Sequence, residues 1–141
     1  MTRINCVPPG ELCREHLVAE YRELPRVFGL VQKAQARGAS PATLVLPQAY
    51  TLGAGHVRFF YDKCTWLLKR QRSLIAEMLA RGYQPRLLRP EDLVTSLQPH
   101  WMGDWEPTPV ALALCRARLQ ERQPKPRIPR GAVQGRWEPL K

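Results

Sequence analysis

Residues 11–38 read ELCREHLVAEYRELPRVFGLVQKAQARG, and the periodicity of this stretch decides the fold. Leu17, Tyr21, Leu24, Phe28 and Val31 follow one another at spacings of 4, 3, 4 and 3. That is the apolar stripe of an amphipathic helix. Pro8-Pro9-Gly10 stands before it and Gly38 suits its stop, so a helix is expected from about Glu11 to Arg37. Pro25 lies inside the run. It offers no backbone donor and its ring crowds the carbonyl of Tyr21, so a bend is expected there.

Two further helical runs follow. The second is expected from Gly55-His56 to Gly82, with Phe60, Cys64, Leu67, Leu68, Leu74, Ile75 and Met78 on a broad apolar face. The third opens with Thr108-Pro109, a capping residue and a proline at the first helical position, and continues to about Arg122. No stretch alternates as a strand does. The expectation is an all-α fold, one compact domain of three main helices over residues 1–122. Gly53-Ala54-Gly55-His56 is too short for a P-loop and lacks its Lys-Ser/Thr, so it reads as a tight turn into the second helix. In the connection 83–107, Trp101 and Trp105 suit either base stacking or sealing of the core edge.

The chain has 141 residues, and its 22 Lys plus Arg against 12 Asp plus Glu give a net charge of +10. That excess points to a polyanion. Only five of the cations are lysine and 17 are arginine, whose rigid fork grips phosphate oxygens two at a time. No apolar run is long enough to span a membrane, and Pro8-Pro9-Gly10 interrupts any signal peptide, so an intracellular, cytoplasmic location is expected. Cys6, Cys13, Cys64 and Cys115 are scattered without a CxxC pair. Cys6, Cys13 and His16 lack an evident fourth ligand, so buried thiols are expected rather than a metal site. From Gln123 onward the chain carries four prolines, five cations and one acid. Such a basic, proline-rich tail cannot bury enough surface to fold alone, and disorder is expected over 123–141.

On the first helix, Arg22 and Arg26 fall about 160° to either side of the Leu24 stripe, on the solvent-facing back. His16 and Glu23 fall within about 20° of each other on one flank. A carboxylate among cations beside a histidine suits acid–base work next to bound phosphate. By spacing alone, a solvated face with Glu–Arg pairs is the better reading.

Particular stretches shift that balance. Met1-Thr2-Arg3-Ile4-Asn5, His16-Leu17 and the eleven residues Ala19–Gly29 (AEYRELPRVFG) resemble the T-even phage endonuclease V family of pyrimidine-dimer DNA glycosylases. Leu52–Val57, Phe59–Lys63, Lys69-Arg70-Gln71, Leu74–Glu77 and Arg81-Gly82 are similar to the same family, and the Arg118-Leu119 region more weakly. The resemblance implies an all-helical fold whose N-terminal segment threads between helices to present its amine. It implies Thr2 as nucleophile and Glu23 as the essential carboxylate. Arg3, His16, Arg22 and Arg26 match positions that contact DNA or line the site; Arg118 matches a DNA-contacting arginine, and Arg122 stands in place of a lysine. It implies damaged double-stranded DNA as partner, kinked and with a base turned out, and no cofactor. Glu15 departs from a family glutamine, and the family's aromatic, lysine-bearing C-terminus is replaced by the tail.

The chemistry explains the use of a terminus. An α-amine has a pKa of about 7.8, so roughly one molecule in seven is neutral at pH 7, against fewer than about one in a thousand for a surface lysine. Removal of Met1 is expected because Thr2 is small. The amine attacks the sugar C1′, and the imine formed permits β-elimination and strand cleavage. Two other readings stand beside this one: a lyase acting mainly on abasic sites or other damaged bases, and a non-catalytic DNA-binding module. A monomer is the expected state.

Overall fold

Pro25 divides the first helical run in two. The computed structural model, which describes residues 2–124, has α1 over Arg14–Glu23 and α2 over Pro25–Ala36, joined at Leu24. It continues with α3 over Cys64–Ala80 and α4 over Pro109–Glu121. The three expected helical runs are thus present, and the fold is all-α. Single 3-10 turns at Pro9–Glu11, Arg58–Phe60, Pro90–Leu93 and Pro99–Trp101 punctuate the connections. None of the helices among the described residues is long and apolar enough to cross a membrane. The disorder expected of the tail falls, from residue 125 onward, outside the described residues.

The break at Pro25 has a local remedy. The N–H that proline lacks would have bonded to the carbonyl of Tyr21. Gln71 of α3, fully buried, donates its Nε2 to that carbonyl at 3.1 Å. An orphaned backbone acceptor is thereby satisfied from a neighbouring helix. Leu17, Leu24, Phe28 and Val31 are buried as the stripe requires, while Tyr21 is half-buried and accepts the Leu87 N–H on its hydroxyl at 2.7 Å.

The second helix starts later than its pattern suggests. Residues 53–63 form turns, and α3 begins at Cys64 rather than near His56. The cause is a non-local strand-like contact. Asp62 gives its carbonyl to the Gly103 N–H at 3.0 Å, and the Gly103 carbonyl accepts from Thr65 N–H at 3.1 Å. A side chain at Gly103 would put its Cβ 2.4 Å from the Asp62 oxygen, so only glycine allows the approach. The far end of α3 closes as expected at Gly82, whose φ is 85°. At α4 the Thr108 hydroxyl accepts from the Ala111 N–H at 3.1 Å, the anticipated cap.

Trp101 is fully buried and belongs to the core, which removes it from base stacking. Trp105, half-buried, stacks on Tyr50 at 5.9 Å and meets the rings of Phe59 and Trp66 edge-on, each at 5.1 Å. All four cysteines are buried free thiols.

The N-terminal segment runs through this assembly rather than over it. Ile4, Asn5, Cys6 and Val7 are all buried. Asn5 donates to Glu20 of α1 at 2.9 Å, the Cys6 thiol donates to the Ala111 carbonyl of α4 at 3.6 Å, and Arg70 of α3 donates to the Val7 carbonyl. Arg70 also grips Glu20 with two bonds of 2.7 and 3.0 Å in a nearly water-free ion pair. Further along, Arg81 holds the Pro9 and Leu12 carbonyls at 3.2 and 2.7 Å. Helices α1, α3 and α4 therefore close around residues 4–7.

Candidate active site

Threading sets where the chain end emerges. Ile4 is fixed on both sides of its peptide unit: its N–H donates to His56 Nε2 at 2.8 Å, and its carbonyl accepts from the Tyr50 hydroxyl at 3.0 Å. Burial raises the Tyr50 pKa, which keeps the phenol protonated as that donor. Thr2 and Arg3, immediately upstream, are half-buried. The chain thus passes from a rigid buried anchor to a partly open mouth within two residues.

That mouth is cationic. The pKa of Arg3 is lowered, first by burial and then by the charges of Arg118 and Arg122 on and just beyond α4; Glu23 and Tyr50 act in the opposite sense. Four of the predicted residues therefore share one electrostatic neighbourhood: Arg3, Glu23, Arg118 and Arg122. His16 joins them through Nε2, 3.0 Å from the Arg122 carbonyl. Buried Arg118 Nε has no hydrogen-bond partner among the described residues. Like charges crowded together with a donor unspent destabilise a protein unless an anion comes to them.

Arg22 and Arg26 take the positions expected on the solvent side, one in α1 and one in α2, both exposed. Among the described residues neither forms an ion pair, and Glu23, half-buried at the last turn of α1, forms none either. The solvated face of Glu–Arg pairs is therefore absent between these residues. Among the described residues no side-chain hydrogen bond or ion pair joins Arg22 or Arg26 to Arg3, Arg118 or Arg122. A shallow hollow of about 650 Å³ beside Trp66, Lys69, Trp105 and Arg116 contains none of the predicted site residues.

Several residues that build the site carry no obvious motif. Glu20 and Arg70 each occupy a core position of their helix, and a charge in register with an apolar stripe signals a buried partner. Asn5 and Gln71 lie within the stretches that carry the resemblance but nothing in their spacing marks either as buried, and Tyr50 lies outside those stretches. His56 lay in plain view after Gly55, yet a glycine-flanked histidine reads first as a turn residue.

Fold and site together define a small all-helical protein whose buried N-terminal segment opens into an anion-seeking cluster. A family model described as pyrimidine dimer DNA glycosylase matches residues 1–90. The chain belongs to that family, one of DNA glycosylases, with DNA as substrate and DNA repair as setting. The match takes in α1, α2, α3 and the turn that holds Ile4; Arg118 and Arg122 lie beyond it.

Proposed function

We propose that this protein excises cyclobutane pyrimidine dimers from duplex DNA and then cuts the strand, using the α-amine of Thr2 after hydrolysis of the Met1–Thr2 bond. The observation that carries the reading is the fixation of Ile4 two residues from that amine, beside a cluster of three arginines and one unpaired carboxylate. Arg3, Arg118 and Arg122 hold phosphate, His16 supports the Arg122 backbone, and Arg22 and Arg26 extend the cationic face along the duplex. The neutral amine attacks C1′ of the sugar; the bond to the base breaks and its electrons leave with the base. The adduct nitrogen loses a proton and its lone pair forms the iminium as the C1′–O4′ bond breaks; O4′ keeps that bonding pair and takes up a proton. Removal of a C2′ proton then expels the 3′ phosphate as the C2′–C3′ double bond forms. Glu23 stabilises the developing cation and moves these protons. The tail from residue 123 adds nonspecific phosphate contacts outside this chemistry.

Borohydride trapping tests the reading. Incubation with duplex containing a thymine dimer should leave a reduced adduct that peptide mapping assigns to Thr2. An adduct on a lysine would overturn the nucleophile. Adduct formation on abasic DNA alone would restrict the activity to that of an abasic-site lyase.

A further inference from the structure

We propose that His56 is a positioning residue for the reaction: its neutral imidazole, in one tautomer, clasps the Ile4 amide and so aims the Thr2 amine. The inference rests on the reading of Thr2 as nucleophile. Its first support is the direction of two hydrogen bonds. An amide nitrogen can only donate, so His56 Nε2, 2.8 Å from Ile4 N, must carry the lone pair. The proton then sits on Nδ1, which donates to the Thr51 carbonyl at 2.8 Å. Both ring nitrogens are used, and the tautomer is fixed by its partners.

The ring has no room to turn. His56 is 3% exposed, with the edges of Tyr50 and Phe60 against it at 5.5 and 5.7 Å. Because Tyr50 holds the Ile4 carbonyl, the one turn over 50–56 grips the N-terminal segment at both polar atoms of Ile4. Two residues span at most about 7 Å of extended chain, so the reach of the amine is set from this anchor.

Protonation would place a second N–H against the Ile4 N–H, two donors face to face. Burial opposes that state and lowers the His56 pKa. The Thr51 carbonyl on the same turn acts the other way; Arg3 on the N-terminal segment and Arg118 on α4 add to the lowering, and Glu20 on α1 opposes it. The Tyr50 phenol faces the ring in its neutral form. The clasp is therefore closed at neutral pH and opens as pH falls below the ordinary histidine range of about 6.5.

The test uses the full chain, with cyanoborohydride trapping of saturating abasic-site duplex in single turnover from about pH 5 to about pH 8. His56→Leu removes the acceptor; His56→Gln keeps an amide that can accept from Ile4. At neutral pH, His56→Leu should slow trapping about tenfold or more with duplex affinity within about twofold, and His56→Gln should restore most of the rate. Below neutrality the wild-type log rate should fall with a slope of about one for the amine and about two once His56 also gains a proton, while His56→Gln keeps a slope of about one. Equal slopes in wild type and His56→Gln, or unimpaired trapping by His56→Leu, would overturn the clasp. Should His56→Leu fail to fold, the slopes of the other two proteins decide. Wild-type protein that forms no adduct at Thr2 would instead overturn the nucleophile reading. Protection of the Ile4 amide from solvent exchange, measured against its intrinsic rate at each pH, then decides the clasp by itself: protection high at neutral pH and lost in acid is expected, and protection that does not change with pH would overturn it.

Discussion

Glu23 is the residue on which the proposed chemistry turns, and its surroundings separate chemistry from binding. It has no ion-pair partner among the described residues, yet its charge reaches Arg3. Glu23→Gln keeps the shape and removes both the charge and the proton acceptor. Strand cleavage should fall to near zero while gel-shift affinity for damaged duplex stays close to wild type; normal turnover would reduce Glu23 to a surface residue. Arg22 and Arg26 make the complementary case. Each replaced by Ala should lower the slope of log affinity against log salt by about one for every phosphate the side chain neutralises. Unchanged slopes would leave them outside the interface. The positions of these three residues were legible from helical spacing, because spacing fixes which face a residue occupies. What spacing could not reveal was their lack of mutual pairing, which depends on rotamers and on Arg3 arriving from another part of the chain.

At the scale of elements, α1, α2 and α3 are coupled by one side-chain amide. Proline at position 25 would leave the Tyr21 carbonyl unsatisfied in a buried seam, and Gln71 satisfies it. Gln71→Leu should therefore destabilise the fold by about 1–3 kcal/mol, the cost of an unpaired buried acceptor. Pro25→Ala restores an N–H to the same carbonyl, so it should recover part of that stability in the Gln71→Leu background. A double-mutant cycle in urea measures the coupling; strictly additive effects would mean that the amide and the proline act separately. The bend at Pro25 and the start of α4 were readable because proline and capping chemistry are local. The start of α3 was not, since the Asp62–Gly103 contact that delays it joins residues far apart in sequence. Trp101 and Trp105 were ambiguous for the same reason: an indole suits a core and a base equally until its neighbours are known.

For the whole molecule, the proposed function implies a division of catalysis from search between the helical part and the basic tail. The five cations and one acid of residues 125–141 give a net charge of +4 beyond the described helices. Deleting 125–141 should weaken binding to undamaged duplex at low salt while single-turnover cleavage of bound, damaged duplex stays close to wild type. Loss of imine formation with normal binding would instead make the tail part of the site. The threading of residues 4–7 has a consequence in time. Cys6 donates its N–H to Cys115 across 109 residues, and the Cys6 thiol reaches the Ala111 carbonyl across 105. A ribosome adding about 5–20 residues each second needs roughly 5–20 s to deliver those partners. Through that interval the first residues lack the α4 side of their enclosure. If Thr2 is the nucleophile as proposed, removal of Met1 would fall in that interval, before α4 completes the enclosure.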